Sequence, residues 1–489
     1  MFGQRKSRGV DDDSATQIAL GAVLGLEQSL LAGGGKTALT VLAVAYTNTG
    51  KVQGVSLGAG NVVEVYASGS DFNSGTVLYR EFMKYGEPIC FTGLSNGAII
   101  TSTQGFYGFA EQLDGSNESL MGLLSYGLSF KSTFLNAFRL SDDYLTGTDQ
   151  GWIHIVNGPL ASTVKLTDGN GSVVESQENI KLTPWEYKRL YTNANQEYIL
   201  SSTNNIMAAI NARMGGNPTF VDSRLIMPLT NDGITWPRSG FVSAPYDNTV
   251  VKYYVRDNVD GSFTVSPGSP VDFETTTGAS EDDYEPDGAT RVMATGLISA
   301  YSGADSAGGE ATPLMPTSAM TQVVAQPLFI HDSGDGGESG VSIASPFEGT
   351  AKIYEYNTTT EELDLAYTVP LNRNGVTVST QSDQYHPAAG MVANESVNGA
   401  VTLSGQLDPG VIIADVPITV ILQNANPSLV PTIRSQNGTT TTSIVSDDDE
   451  TLSLGITPAS KAAEIREDAD GIFRRRTISN AGVETWVVC

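Results

Sequence analysis

Two acidic loops carry residues that could present oxygen ligands to a metal ion. Asp332-Ser333-Gly334-Asp335-Gly336-Gly337-Glu338 offers Asp332, Asp335 and Glu338, and Glu281-Asp282-Asp283-Tyr284-Glu285-Pro286-Asp287-Gly288 offers Asp282, Asp283 and Asp287. Calcium takes about six to eight oxygens from flexible carboxylate-bearing loops, so these six residues are the candidate metal ligands and calcium the candidate cofactor. Neither loop has EF-hand spacing, and a solvated acidic turn is the competing reading. Gly93-Leu94-Ser95-Asn96-Gly97 matches a nucleophile elbow, which needs a helix after the serine. The following Ala98-Ile99-Ile100-Thr101 reads as a strand, so no catalytic role is assigned. Gly33-Gly34-Gly35-Lys36-Thr37 has Leu30 where a phosphate loop needs its first glycine, and reads as a helix stop. Three histidines, His154, His331 and His386, stand too far apart for a zinc site built in sequence. His154 alternates with Ile153 and Ile155 and is expected to point outward from a strand.

The elements that would position such residues are short alternating strands that recur. Ile153-His154-Ile155-Val156-Asn157-Gly158-Pro159 followed by Thr163-Val164-Lys165-Leu166 returns as Val341-Ser342-Ile343-Ala344-Ser345-Pro346 followed by Thr350-Ala351-Lys352-Ile353. The copies close with related apolar runs, Tyr198 to Ile210 and Val411 to Ile421, and Ile99-Ile100-Thr101-Ser102-Thr103 with Phe106 is a weaker third echo. Strands broken by Gly, Pro and Asn and repeated at this scale predict tandem antiparallel β-sandwich domains. The chain is thus expected to be mainly β, with an N-terminal helix and a small C-terminal helix-plus-hairpin module.

The pattern divides the 489 residues as follows. Residues 1–36 read as an arm and helix, with Ser14 and Gln17 at capping-box spacing and Gly33-Gly34-Gly35 as the stop. A first β-domain covers 37–149 and the first repeat copy 150–215. Residues 216–330 read as an irregular insertion for contacts, because their loops are long. The second copy covers 331–425, a linker 426–455, and the terminal module 456–489. That module pairs a helix opening at Thr457-Pro458 with a hairpin of Ile472 to Ile478 and Val483 to Val487.

A net charge of −27 argues against a phosphate backbone as partner, since nucleic-acid binding needs clustered Lys and Arg. Residues 257–351 hold fifteen Asp or Glu against Arg291 alone, a net −14. The run Arg474-Arg475-Arg476 therefore reads as a contact to an acidic neighbour. Cys90 and Cys489 cannot make a disulfide framework, and Cys90, within Ile89-Cys90-Phe91, reads as a buried apolar residue. The stretch Ile18 to Ala32 carries Glu27 and Gln28 and is too short and polar to span a bilayer. No membrane insertion is expected, and the chain reads as made in a cytoplasm.

Asn231 to Asn248, with Pro245-Tyr246-Asp247-Asn248, and Gly296 to Gly308 resemble segments of virion structural proteins of contractile-tailed marine cyanobacterial phages. The terminal Arg474-Arg475-Arg476, Asn480-Ala481-Gly482 and Trp486 are similar to end modules of such proteins. The resemblance implies a non-enzymatic virion component of tail, neck or head surface, such as a capsid decoration, assembling with other virion proteins and with copies of itself. It carries no catalytic residues. The alternative reading is a host-surface or carbohydrate-binding adhesin in which Trp152, Trp185 or Trp236 stacks on a glycan. A third is a polysaccharide depolymerase using separated carboxylates.

Overall fold

The computed structural model describes residues 40–45, 51–69, 76–114, 117–136, 150–169, 171–174, 176–193, 197–213, 221–235, 240–255, 258–273, 290–302, 312–326, 340–371, 392–397, 400–404, 409–424, 432–434, 436, 440–442, 450–454, 465–467, 473–478 and 484–488. The chain is mainly β, a series of antiparallel sheets packed as sandwiches. The expected N-terminal arm and helix lie outside the described residues, as does the C-terminal helix up to residue 464.

One strand plan occurs four times. Module 1 contains β1 (Thr40–Ala43), β2 (Val52–Ser56), β3 (Asn61–Tyr66), β4 (Val77–Met83), β5 (Pro88–Phe91), β6 (Ile99–Ser102), β7 (Phe106–Asp114) and β8 (Asn117–Gly122). The order β4-β3-β6-β1 makes one sheet and β5-β2-β7-β8 the other. A short β9 (Leu124–Ser125) adds to the edge at β1 and leads through a 3-10 turn into module 2.

Module 2 repeats this with β10 (Phe130–Asn136), β11 (Gln150–Asn157), β12 (Ser162–Asp168), β13 (Ile180–Leu182), β14 (Tyr187–Asn193), β15 (Glu197–Arg213) and β16 (Val221–Ile226). Here β6 and β7 of module 1 have become a single long strand. The first half of β15 pairs with β10 and β12, and its second half pairs with β11 and β16. One strand thus serves both sheets.

Module 3 has β17 (Thr230–Thr235), β18 (Gly240–Ser243), β19 (Thr249–Val255), β20 (Asn258–Val265), β21 (Val271–Phe273), β22 (Thr290–Ser302) and β23 (Thr312–Pro313). Its β24 (Met315–Pro316) adds to β17 as β9 adds to β1, again before a 3-10 turn. Module 4 has β25 (Thr321–Gln326), β26 (Gly340–Ala344), β27 (Gly349–Asn357), β28 (Glu362–Leu371), β29 (Val392–Val397), β30 (Ala400–Ser404) and β31 (Gly410–Asn424). After a hairpin of β32 (Thr432–Arg434) and β33 (Thr440–Thr442), β34 (Glu450–Leu454) returns to the second half of β31. The chain ends in a three-stranded sheet of β35 (Ile465–Glu467), β36 (Phe473–Ile478) and β37 (Glu484–Val488), where Arg476 stands opposite Trp486.

Two stretches differ from the sequence reading. Residues 216–330, expected to be irregular, carry module 3, and the 426–455 linker carries the last strand of module 4. Asn231 to Thr235, within one stretch read there as a long loop, is strand β17, and Ser266-Pro267-Gly268, within another, is a tight turn between β20 and β21 with Gly268 at φ +71°.

The long strand changes sheet at a repeated break. Opposite β10, register passes from Ser132↔Ser201 to Phe130↔Ile206, so two steps on one strand span five on the other. Asp232↔Met293 to Thr230↔Ile298, and Val323↔Ile413 to Thr321↔Ile418, repeat that offset. Extra residues on one strand bend it and increase its twist. In all four modules a side-chain oxygen at the break accepts the N–H of the second residue of the third strand. Thr103 Oγ1 takes Val62 N–H at 2.9 Å, Thr203 Oγ1 takes Thr163 at 3.0 Å, Thr295 Oγ1 takes Val250 at 3.0 Å, and Asp415 Oδ1 takes Thr350 at 2.7 Å.

In module 1 the break is further fixed by Asn61, fully buried, whose amide donates to Gly105 O at 2.6 Å and accepts from the N–H groups of Thr103 and Gln104 at 3.0 and 2.9 Å. Removing it takes the partner from the Gln104 N–H, while the Thr103 N–H keeps Val62 O and Gly105 O keeps the Leu57 N–H. Asn61→Ala is expected to destabilise the protein by about 1–3 kcal/mol, read from the urea midpoint, the usual cost of leaving one polar group unpaired.

Candidate functional site at the module seams

The last strands of the modules form a closed circuit: β8 lies against β16 and β34, and β23 lies against the same two. The four modules therefore close into a ring with these strands toward its middle. Apolar packing follows the circuit. The core of module 1 is continuous with Val156, Met207 and Leu225 of module 2, Ile234 of module 3, and Val323, Ile353 and Val420 of module 4. Phe241 of module 3 joins the core of module 2.

One turn is used at two seams, by module 1 toward module 4 and by module 2 toward module 1. Between β4 and β5, Lys84-Tyr85-Gly86-Glu87 closes with Glu87 N–H to Lys84 O at 3.2 Å, and the Glu87 carboxylate accepts Lys84 N–H at 2.8 Å. Thr183-Pro184-Trp185-Glu186 of module 2 has the same bonds, at 3.2 and 2.7 Å. The third residue of this turn is left-handed, with Gly86 at φ +76° and Trp185 at φ +60°. A tryptophan accepts that conformation at a cost of about 1 kcal/mol. The buried Trp185 packs edge-on to Tyr126 of the connecting turn, with ring centroids 5.7 Å apart.

Tyr187 completes the seam between modules 1 and 2. Its ring touches Gly97 of module 1, and its hydroxyl lies 2.8 Å from His154 Nδ1. His154 is buried, contrary to the outward placement expected of it, because that face of the module 2 sheet is covered by the Tyr187 ring stacked at 5.9 Å. Burial raises the Tyr187 phenol to about 12, Arg189 lowers it, and Tyr191 adds to the rise.

Between modules 2 and 3, Glu197 Oε1 accepts from Ser243 Oγ at 2.7 Å. A cleft beside this seam, lined by Arg224, Met227, Thr230, Ile298 and Leu314, has 20 Å³ of room. That holds about one water, against the ~300–1,000 Å³ of small-molecule sites. Between modules 4 and 1, the chain makes no covalent bridge. Lys84 pairs with Glu361, Leu363 fills the notch left by Gly86, and the amide of Gln436 binds Thr92 on both sides.

The residues singled out for chemistry are distributed as follows. Asp332, Asp335, Glu338, Asp282, Asp283, Asp287 and Trp236 lie outside the described residues, as do His331, His386 and Cys489. Among the described residues no three His, Cys, Asp or Glu gather as a metal group. Ser95 sits in a turn that enters strand β6, not a helix. Cys90 is buried, as its apolar neighbours suggested. Trp152 is half-buried, with the Arg189 guanidinium 5.4 Å from its ring centre and 5.5 Å from that of the half-exposed Tyr191. Arg291, the one basic residue of the acidic stretch, forks onto Asp232 at 2.9 and 2.8 Å, and that bond raises its pKa further.

No family model and no curated protein sequence matches the chain.

Two outcomes test these seams. Trp185→Ala is expected to cost about 3–5 kcal/mol by removing a buried ring. Trp185→Gly should cost no more than the alanine variant, reversing the usual penalty for glycine, because it relieves the left-handed backbone. Both are measured by denaturant unfolding. Tyr187 is the titrating member. Its folded pKa lies above the unfolded value of about 10, so its stabilisation is intact below pH 10 and is lost as pH rises toward 12. Tyr187→Phe should make that alkaline decline shallower without removing it, because burial also raises the phenols of Tyr66, Tyr85 and Tyr107.

Proposed function

We propose that the chain is a non-enzymatic structural component of a phage particle, of tail, neck or head surface, that acts through contacts with other virion proteins and with copies of itself. The observation that carries this reading is the closure of four similar sandwiches into one ring through their last strands. A tandem array closed on itself buries the apolar surface that single modules would expose. The likeness of Asn231 to Asn248 and Gly296 to Gly308 to phage virion segments supports the same role. The particle is the expected location.

A glycan-binding role is a second reading, favoured by one feature: Tyr191 is half-exposed beside Trp152 and Arg189. Trp185 takes no part in it, because its ring is buried at a seam. Mass spectrometry of purified particles separates the readings from an unrelated role. The expected result is this chain at a fixed copy number per particle; its absence from particles contradicts the proposal.

A further inference from the structure

The equivalent sheet edge is capped in two different ways in modules 1 and 2. Counted from the shared turn glutamates Glu87 and Glu186, Thr92, the residue after β5, matches Tyr191 of β14, and β5 and β14 are the outermost strands of their sheets. In module 2 the Gln177 side chain caps that edge: its Oε1 accepts Tyr191 N–H at 2.9 Å and its Nε2 donates to Tyr191 O at 2.8 Å. Gln177 belongs to the same module. In module 1 the matching amide is Gln436, whose Oε1 accepts Thr92 N–H at 3.0 Å while Nε2 reaches Thr92 Oγ1 at 2.7 Å and Thr92 O at 3.5 Å. It arrives from between β32 and β33, ahead of the last strand of module 4 and 344 residues along the chain.

Three seams of the ring are crossed by short stretches of chain: β9 and its turn, Met227-Pro228-Leu229, and β24 and its turn. The seam between modules 4 and 1 is crossed by none, yet it is built as fully. Leu363 seats against Gly86, where any Cβ would clash, and Gln436 completes the sheet edge. β25 lies along β2 and β7 of module 1, as β10 lies along β18 and β22 of module 3. The Lys84–Glu361 pair is exposed on both sides and adds registry more than strength.

Building on the assembling-subunit reading, we infer that this seam is also an interface between copies: module 4 and Gln436 of one chain dock on module 1 of a second. Every contact survives the exchange, because the partner surfaces are identical and only the chain that supplies them changes. Within one dilute chain, closure wins through effective concentration. Packed in a particle, a neighbour's module 4 competes for the same edge.

The native ion pair supplies the probe, since a carbodiimide joins a lysine amine to an adjacent carboxylate with no spacer. Isotopically heavy and light full-length chains are mixed, incubated dilute and concentrated, crosslinked and digested. Linked Lys84–Glu361 peptides are then sorted by mass. Hybrid heavy-light peptides that increase with protein concentration are the expected result. Gln177→Ala, whose cap lies inside one module, should leave the hybrid share unchanged. Linked peptides that remain all-heavy or all-light at every concentration would overturn the inference, and so would the absence of any Lys84–Glu361 link. Neither result would remove the chain from a particle, so this inference and the structural role fail separately.

Discussion

Everything in the fold depends on one constraint: the long strand of each module must leave one sheet and enter the other halfway along. A strand that continued straight would leave the second sheet without its centre, since β11, β18 and β26 pair only with the far half of β15, β22 and β31. The extra residues at the break supply the bend, and a Thr or Asp oxygen there holds the neighbouring N–H that the bend leaves without a ladder partner. A threonine hydroxyl suits the place because it accepts a bond while its branched carbon still fits a strand. In module 1, where Gly105 at φ +96° splits the strand in two, the buried amide of Asn61 does the same work for two more N–H groups.

Once the strand has bent, its outer half offers a free edge on the side away from β11 or its counterparts. One further strand, β8, β16, β23 or β34, covers that edge. Each of these four then meets two of the others, and the ring follows from where each module must place its last strand. The seams are secondary adjustments to that arrangement. Trp185 spends backbone strain to reach Tyr126, Gly86 stays small so that Leu363 can enter, and Gln436 finishes an edge that module 1 cannot finish itself.

Much of this was legible in the sequence, and for a physical reason. A central strand buried on both faces has to be a near-continuous apolar run, so Ile99 to Phe106, Tyr198 to Ile210 and Val411 to Ile421 stood out as related. The fourth copy escaped notice. Its strand, Val292-Met293-Ala294-Thr295-Gly296-Leu297-Ile298, keeps the Thr and the following Ile at the same spacing, but smaller residues interrupt the apolar run and strongly acidic segments flank it. A Thr or Asp three residues before a large apolar residue, as in Thr103 and Phe106, Thr203 and Ile206, Thr295 and Ile298, and Asp415 and Ile418, was the signal that would have found it. The seams were not legible at all, because Gln436 and Thr92, or Leu363 and Gly86, meet only through the closure of the ring. His154 illustrates the same limit: alternation placed it on the correct face, and only the neighbouring tyrosine determines that the face is covered.

The closed ring is tested most directly by residue-resolved amide hydrogen exchange at Thr92 and Tyr191, which are matched positions with matched glutamine caps. Tyr191 reports a cap made inside one module, and Thr92 reports one made across the seam that no stretch of chain bridges. The account predicts that both amides are protected well beyond the rate of an open loop. A Thr92 amide exchanging freely while Tyr191 remains protected would mean that the four modules form an open string, and would contradict it.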